Sequence, residues 1–179
     1  VFISFCCVIL VGTILLWSPF SFFCRESITF PESLFTTTSA VCVTGLSVIP
    51  DVGATFSVFG KIIIAILIEI GGLSFLTIAI FVFALAGVKL GLTERFLMRE
   101  ALNQNSVTGI IKLVIRIVKI SLSIQFIGFI LNIFPLLNYY DNFWHVLGYS
   151  AFHTISSFNN AGFDLFGSSS LIMFKDDVF

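Results

Sequence analysis

The sequence contains few charged residues. Asp, Glu, Lys and Arg make up only 11% of its 179 residues, and 58% are hydrophobic, whereas soluble domains carry about a quarter charged residues. Three long stretches contain at most one charge each: residues 1–24, 62–87 and 120–140. Each stretch reaches the roughly 20 apolar residues that a bilayer core requires. The composition excludes a soluble domain and predicts an all-α integral membrane protein with three spanning helices.

The sequence also lacks the residue patterns of catalysis and metal binding. Its four cysteines, Cys6, Cys7, Cys24 and Cys42, show neither metal-site spacing nor a disulfide framework, and its two histidines stand without a third ligand. We find no Gly-rich phosphate loop with Lys, no nucleophile elbow and no paired carboxylates in an apolar setting. We therefore expect no enzyme, no transition-metal site, no cofactor and no nucleic-acid partner.

The charges are unevenly distributed. Residues 89–119 hold six of the nine basic residues against two acidic ones, and the positive-inside rule places such a connector in the cytoplasm. Residues 18–61 and the segment after residue 137 contain more acidic than basic residues. We therefore expect residues 88–112 to be cytoplasmic. Residues 18–55 and the segment after residue 137, including the pore loops described below, are expected to face the outside of the cell membrane.

Two further apolar stretches are too short to span a membrane. Residues 31–43 and 143–158 each follow a helix that is predicted to run outward, and runs of about 10 to 14 apolar residues are typical of re-entrant segments. Because the second spanning helix must return to the cytoplasm, residues 31–43 have to enter and leave on the outer side. Pro31 suits the first turn of such a helix, where its missing N–H is not needed. The pattern predicts two short re-entrant helices.

These two stretches are copies of one another. A shift of 117 positions aligns Ser33, Phe35, Thr37, Ser39 and Gly45 with Ser150, Phe152, Thr154, Ser156 and Gly162. Chance would give roughly one such identity, so the chain contains an internal repeat. Each repeat consists of a helix, a re-entrant pore helix, a Gly-containing loop and a helix. We predict the first repeat at residues 1–87, the cytoplasmic connector at 88–112, and the first helix and pore loop of a second repeat at 113–179.

A polar loop follows each short helix at membrane depth. Irregular backbone is tolerated there only where it is buried in protein or lines a wet cavity. Glycine allows carbonyls to turn in one direction, and a ring of carbonyls can replace the water around a cation. The preceding helix C-terminus adds partial negative charge. We therefore predict an ion filter built from a first loop, Val43, Thr44, Gly45 and Leu46, and a second loop, Asn160, Ala161, Gly162 and Phe163.

One acidic residue, Glu69, lies inside the second apolar stretch. An intramembrane acid often belongs to an ion pathway, but it can equally be protonated or hydrogen-bonded to a neighbouring repeat. Gly71 and Gly72 follow it, and small residues at such positions allow close helix packing in membranes. The sequence leaves both roles of Glu69 open. Three basic residues at helical spacing are expected to anchor the third helix at the cytoplasmic interface: Lys112, Arg116 and Lys119.

The segments TSAVCVTGLSV, EIGGLSFLT and SSFNNAGFDLF resemble the Trk/Ktr/HKT superfamily of potassium transporters, most of all the bacterial Ktr or Trk pore-forming membrane subunit. In that family one chain holds four such repeats around a central pore, and each repeat contributes one filter glycine. The resemblance implies that this chain is a fragment with about two of the four repeats, and that Gly45 and Gly162 are filter glycines for K⁺. In the family, glycine at the first position goes with potassium selectivity and serine with sodium permeation. The family usually has Gln where this chain has Glu69.

The resemblance implies potassium uptake across the cell membrane through a filter of backbone carbonyls, driven by the membrane potential. Sodium- or proton-coupled symport is the alternative mechanism. The resemblance also implies a homodimer of full-length chains in the lipid bilayer and a cytoplasmic nucleotide-binding regulatory subunit. The sequence argues against three other classes. A polytopic membrane enzyme would need more intramembrane ionisable groups than Glu69, a structural or assembly protein has no need of two polar loops, and a tetrameric potassium channel has a longer glycine signature.

Overall fold

A computed structural model describes residues 2–23, 28–86, 91, 96, 99–100 and 109–175. Within these residues the chain forms seven α-helices and one 3-10 helix: α1 (Phe2–Trp17), α2 (Phe30–Val41), α3 (Val52–Thr55), α4 (Val58–Gly72), α5 (Phe75–Leu85), α6 (Ile110–Leu136), α7 (Phe143–Phe158) and η1 (Gly167–Phe174). The predicted all-helical class is confirmed. The chain divides into a larger compact unit, Val1–Gly72 with Gln125–Phe179, and a smaller one, Leu73–Ile124.

The long apolar stretches form helices of different lengths. α6 is the single described helix that, by length and composition alone, could cross a membrane, over Ile111–Leu136. α1 is shorter, with 16 residues. The predicted cytoplasmic connector, residues 88–112, lies largely outside the described residues. That residues 1–24 and 62–87 also span the membrane therefore remains a prediction.

The second apolar stretch does not form the continuous helix that the sequence predicts over about residues 56–87. It forms α4 and α5, which are separated at Leu73 and Ser74, and Ser74 has a φ of 68°. A non-glycine residue in the left-handed region cannot continue a right-handed helix. The prediction of one uninterrupted helix was therefore wrong, and α4 ends just after Gly72.

α4 occupies the centre of the larger unit. It packs against α1, α2 and α7. Its buried residues recur at the spacing of one helix face: Gly60, Ile63, Ile64, Leu67 and Ile68. Phe56, just before α4, is fully buried as well. This apolar face holds α4 where its last turn meets the ends of both short helices.

The residues just before α4 pair with the residues just after α1 in a short antiparallel contact. The Ser57 N–H donates to the Ser21 carbonyl over 2.9 Å, and the Phe23 N–H donates to the Thr55 carbonyl over 3.1 Å. A Cβ on Gly60 would overlap the same Ser21 carbonyl. The contact fixes the entry of α4 into the unit.

α2 and α7 are the two short helices that the sequence predicts from residues 31–43 and 143–158. Both bury rows of hydroxyl side chains: Ser33, Thr36, Thr37 and Ser39 on α2, and Ser150, Thr154 and Ser156 on α7. The Ser150 hydroxyl donates to the Phe129 carbonyl of α6 over 2.6 Å. Five of these seven hydroxyls have a hydrogen-bond partner, which lets polar helices pack inside an apolar unit. The buried Ser33 and Thr37 hydroxyls have none.

A capping arrangement marks the start of α2. The Thr29 N–H and the Thr29 hydroxyl donate to Glu32 Oε2 over 2.6 and 2.9 Å. Since these bonds favour the ionised carboxylate, they hold the pKa of Glu32 below its ordinary value. Pro31 lies within the first turn of α2, as its sequence position predicts.

Each short helix places a threonine methyl against a glycine of the preceding long helix. A Cβ on Gly12 would lie 2.9 Å from Thr37 Cγ2, and a Cβ on Gly128 would lie 3.1 Å from Thr154 Cγ2. Thr37 and Thr154 are equivalent under the 117-residue shift. A larger residue at either glycine would push the helices apart, and the sequence analysis did not identify these two contacts.

In the smaller unit, the first half of α6 is amphipathic. It exposes Lys112, Arg116 and Lys119 and buries Val114 and Val118. Positions three and four apart share a helix face, so the three cations form one exposed stripe, as their spacing predicts.

Candidate functional site

The first and second loops have matching backbone conformations. Val43 and Asn160 have φ values of 55° and 56°, and Gly45 and Gly162 have φ values of 70° and 75°. Both pairs are equivalent under the 117-residue shift. Positive φ is readily available to glycine but costly for most other residues. The same pattern, a left-handed residue and then a left-handed glycine two positions later, therefore occurs twice.

The hydrogen bonds that end the two short helices also match. The Thr44 N–H donates to the Ser39 carbonyl over 3.0 Å, and the Ala161 N–H donates to the Ser156 carbonyl over 2.7 Å. In each loop the N–H of the preceding residue bonds to the carbonyl three positions back, over 3.2 and 3.1 Å. These bonds use carbonyls that a helix end leaves unpaired. The turn from helix to loop is therefore built from main-chain bonds in both copies.

The buried serines Ser39 and Ser156 add a side-chain bond to each loop. The Thr44 hydroxyl donates to Ser39 Oγ over 2.9 Å, whereas the Ser156 hydroxyl donates to the Phe163 carbonyl over 2.5 Å. Each serine is equivalent to the other under the repeat shift, yet each bonds a different group. The loops thus share their backbone path and differ in the side chains that hold it.

The two loops approach each other at their glycines. A Cβ on Gly45 would lie 3.0 Å from Gly162 Cα and would overlap the Ala161 carbonyl oxygen. A Cβ on Gly162 would lie 3.4 Å from Gly45 Cα, an ordinary contact distance. Close approach leaves no room for a side chain at Gly45. The structure therefore brings the eight predicted filter residues together in two adjacent loops.

Exposure differs between the loops. Leu46 of the first loop is 63% exposed. In the second loop Ala161 and Phe163 are buried in the core of the unit, while Asn160 and Gly162 are exposed. The second loop is therefore anchored by alternate side chains, and its other two residues remain accessible.

Glu69 lies in the last turns of α4 and accepts hydrogen bonds from two amide side chains. Gln125 Nε2 lies 2.9 and 3.1 Å from the two carboxylate oxygens, and Asn159 Nδ2 lies 2.7 Å from Oε2. Gln125 belongs to α6, and Asn159 caps the C-terminus of α7. Of the two roles that the sequence left open, hydrogen bonding to the second repeat matches this geometry.

Gly71 and Gly72 pack against the ends of different short helices. A Cβ on Gly71 would overlap the Val41 carbonyl at the end of α2 and would lie 2.9 Å from Val43 Cγ2. A Cβ on Gly72 would overlap the side chain of Asn159. The close packing predicted for these glycines thus involves both loops at once.

Sequence reasoning missed three polar residues near the loops. Gln125 and Asn159 are the partners of Glu69, and Asn132 Nδ2 donates to Thr154 Oγ1 over 3.0 Å. Gln125 and Asn132 are amides inside the apolar stretch 120–140, and such amides need a buried partner. This need for a buried partner was the feature of the sequence that could have identified Gln125 and Asn132. Among the described residues, no group of three or more His, Cys, Asp and Glu side chains could hold a metal ion.

The described part of the chain is thus an apolar helical protein with two short helices that each end in a loop with a left-handed glycine. The family model described as "TrkH: Cation transport protein" matches residues 4–179. The chain therefore belongs to the TrkH family of cation transport proteins, and the family resemblance seen in the sequence is confirmed. The family consists of membrane transporters and not enzymes, so a membrane location follows.

Individual relatives carry more specific names. The chain is 43% identical over 164 residues to Ktr system potassium uptake protein B of Bacillus subtilis, covering 91% of the chain and 36% of the relative. It is 42% identical over 171 residues to the potassium/sodium uptake protein NtpJ of Enterococcus hirae, covering 94% and 37%. A third relative, Ktr system potassium uptake protein B of Vibrio alginolyticus, is 37% identical over 178 residues, covering 99% and 38%. The chain spans little more than a third of these relatives, whose names place potassium uptake within the family.

Proposed function

We propose that this chain contributes two of the filter loops of a potassium uptake pore. K⁺ would be coordinated by main-chain carbonyls of the first loop, Val43, Thr44, Gly45 and Leu46, and of the second loop, Asn160, Ala161, Gly162 and Phe163. The observation that carries the proposal is the matched left-handed conformation of the two loops, which meet at Gly45 and Gly162.

Main-chain carbonyls suit K⁺ because they replace its hydration shell without a formal charge that would hold it too tightly. A left-handed glycine reverses the direction of the local peptide, so that successive carbonyls can be turned toward one side. The C-termini of α2 and α7 carry partial negative charge next to the loops. Both features favour a monovalent cation over an anion.

Potassium rather than sodium is the proposed cargo. Two of the relatives are named potassium uptake proteins and one a potassium/sodium uptake protein. Glycine at position 45 fits the potassium-selective form of the resembling family. Sodium would enter this pore only if the loop backbone were displaced.

The finer architecture belongs to the same proposal. The first repeat would comprise residues 1–87, with α2 as its re-entrant pore helix, and the second repeat would begin at residue 113 with α7 as its pore helix. Two further repeats in the complete protein would close the ring of carbonyls. Full-length chains would pair as a homodimer, and a cytoplasmic nucleotide-binding subunit would regulate them.

The driving force proposed is the membrane potential. A potential of 100 mV supplies about 2.3 kcal/mol per charge, and at about 1.4 kcal/mol per tenfold this sustains an inward K⁺ ratio of about 40 to 50. We therefore expect the complete transporter in liposomes to take up K⁺ when an inside-negative potential is imposed, without ATP. Uptake of a radioactive tracer such as ⁸⁶Rb⁺ measures this directly.

The matched control is the same liposome preparation at zero potential, with an imposed sodium or proton gradient. Uptake that follows such a gradient and ignores the potential would establish the symport alternative. Uptake by the isolated membrane subunit that requires ATP hydrolysis would replace the pore with a pump.

The proposed topology is tested by labelling single cysteines. In a background without the four native cysteines, a cysteine at Val48, which is 50% exposed, should react with a membrane-impermeant maleimide added outside intact cells. A cysteine at Asn103, which lies outside the described residues, should react only after the membrane is opened. The opposite labelling pattern would reverse the proposed orientation.

A further inference from the structure

We propose that Glu69, Gln125 and Asn159 form a positioning network that sets the ion selectivity of the second loop. The inference rests on the proposed potassium pore and adds a role for a carboxyl group that lies outside the two loops. In this network Glu69 acts through Asn159, which holds the end of α7 and so the carbonyls that follow it.

The geometry of the network is defined by three short donor–acceptor distances. Gln125 Nε2 lies 2.9 and 3.1 Å from the two oxygens of Glu69, and Asn159 Nδ2 lies 2.7 Å from Oε2. Gln125 is buried, and Glu69 and Asn159 are half-buried. The two carboxyl oxygens of Glu69 thus accept from both amide donors.

Asn159 transmits this restraint to the filter backbone. It is the C-cap of α7, and its side chain donates to the Ile155 carbonyl over 3.0 Å as well as to Glu69. The next residue, Asn160, takes the left-handed conformation that opens the second loop. Release of the Asn159 side chain from Glu69 would therefore loosen the last turn of α7 and shift the carbonyls of Asn160 and Ala161.

Within the part of the chain that the structure describes, the first loop shows no equivalent network. Cys42 stands at the position that corresponds to Asn159 under the 117-residue shift, and a thiol cannot replace an amide that donates two hydrogen bonds. Close packing of Gly71 on the Val41 carbonyl holds that end of α2 instead. The two loops thus share a backbone conformation but differ in how α4 holds them, and the second is held through the carboxyl group of Glu69.

The test exchanges donor and acceptor within the network. In Asn159→Asp, two carboxylates face each other across the former hydrogen bond, so the end of α7 is pushed from α4. In Glu69→Gln with Asn159→Asp, the introduced glutamine amide can donate to the introduced carboxylate, while its oxygen accepts from Gln125. Each variant is made in the complete transporter, and the ratio of K⁺ to Na⁺ uptake is measured per molecule in the membrane.

We expect Asn159→Asp to lower the K⁺/Na⁺ uptake ratio roughly tenfold, because the side chain loses its donor bonds to Glu69 and to the Ile155 carbonyl. The double variant should restore the ratio in part, because it remakes the bond between positions 69 and 159 but not the bond to the Ile155 carbonyl. The matched control is Asn142→Asp at the other end of α7, where the introduced carboxylate can still accept from the Trp144 N–H, and it should leave the ratio unchanged.

Three results would overturn the network. They are an unchanged ratio in Asn159→Asp, an equal fall in Asn142→Asp, and a double variant that behaves like Asn159→Asp. If Asn159→Asp does not reach the membrane, the double variant decides: recovery of both membrane level and ratio supports the network, and loss of either overturns it. A native protein that takes up no K⁺ would instead refute the proposed function, so the two failures are distinguishable.

Discussion

We expect serine at position 45 to make the proposed potassium pore pass sodium as well. Two costs meet at this residue. Gly45 has a φ of 70°, where a side chain is strained, and its Cβ would overlap the Ala161 carbonyl of the other loop. Strain and overpacking each cost on the order of 1 to 3 kcal/mol. We therefore expect Gly45→Ser to displace both loops and to lower the K⁺/Na⁺ uptake ratio at least roughly tenfold.

Two other glycines separate the contributions of strain and overlap. Gly162 has a φ of 75°, but a Cβ there would meet only Gly45 Cα at 3.4 Å, so Gly162→Ser should have a smaller effect. Gly109 has a φ of 85° and no described atom within 4 Å of an added Cβ, so Gly109→Ser should leave the ratio unchanged. Growth on limiting potassium and tracer sodium uptake measure the series. An unchanged K⁺/Na⁺ uptake ratio in Gly45→Ser would show that Gly45 is not part of the filter.

Alanine at position 71 will destabilise the protein as a whole. Its Cβ would overlap the Val41 carbonyl, a backbone atom that cannot rotate away. α4 must then move off the end of α2, and it carries the Glu69 and Gly72 contacts with it. Overpacking of this kind costs about 1 to 3 kcal/mol, so we expect a lower thermal unfolding midpoint of the detergent-solubilised protein and weaker K⁺ uptake.

Gly148 provides the matched control for this substitution. It lies in α7, and no described atom lies within 4 Å of a Cβ added there. Because alanine is the better helix former, by roughly 0.5 to 1 kcal/mol, Gly148→Ala should keep or raise the unfolding midpoint. Equal midpoints for Gly71→Ala and the native protein would show that α4 does not pack tightly on α2.

Structural features that depend on a local sequence pattern were predicted from the sequence. Residues 143–158 were predicted as a short helix and form α7 with those limits, and Pro31 marked the first turn of α2. The equivalence of Gly45 and Gly162 followed from five aligned identities. Such features are encoded within about 15 neighbouring residues by length and by helix start signals.

The sequence did not predict features that depend on distant contacts or on a single dihedral angle. Glu69 bonds to residues 56 and 90 positions away, and no local pattern specifies that pairing. The helix break after Gly72 lies between two apolar segments, so composition does not reveal it. In the structure the break is marked by the positive φ of Ser74. Gly12 and Gly128 looked like ordinary helix residues until each was found facing a threonine methyl.

Main-chain hydrogen bonds shape both loops, and this determines which positions can identify divergent copies of the repeat. Because any residue except proline can donate or accept them, most side chains around the loop are free to change, as the contrast between Val43 and Asn160 already illustrates. Two positions are constrained in both copies: a buried serine near the helix end, and a glycine six places later, at 39 and 45 and at 156 and 162. A hydroxyl residue followed by any five residues and a glycine, at the end of a short apolar run, is thus a better signature for locating divergent copies than overall sequence identity.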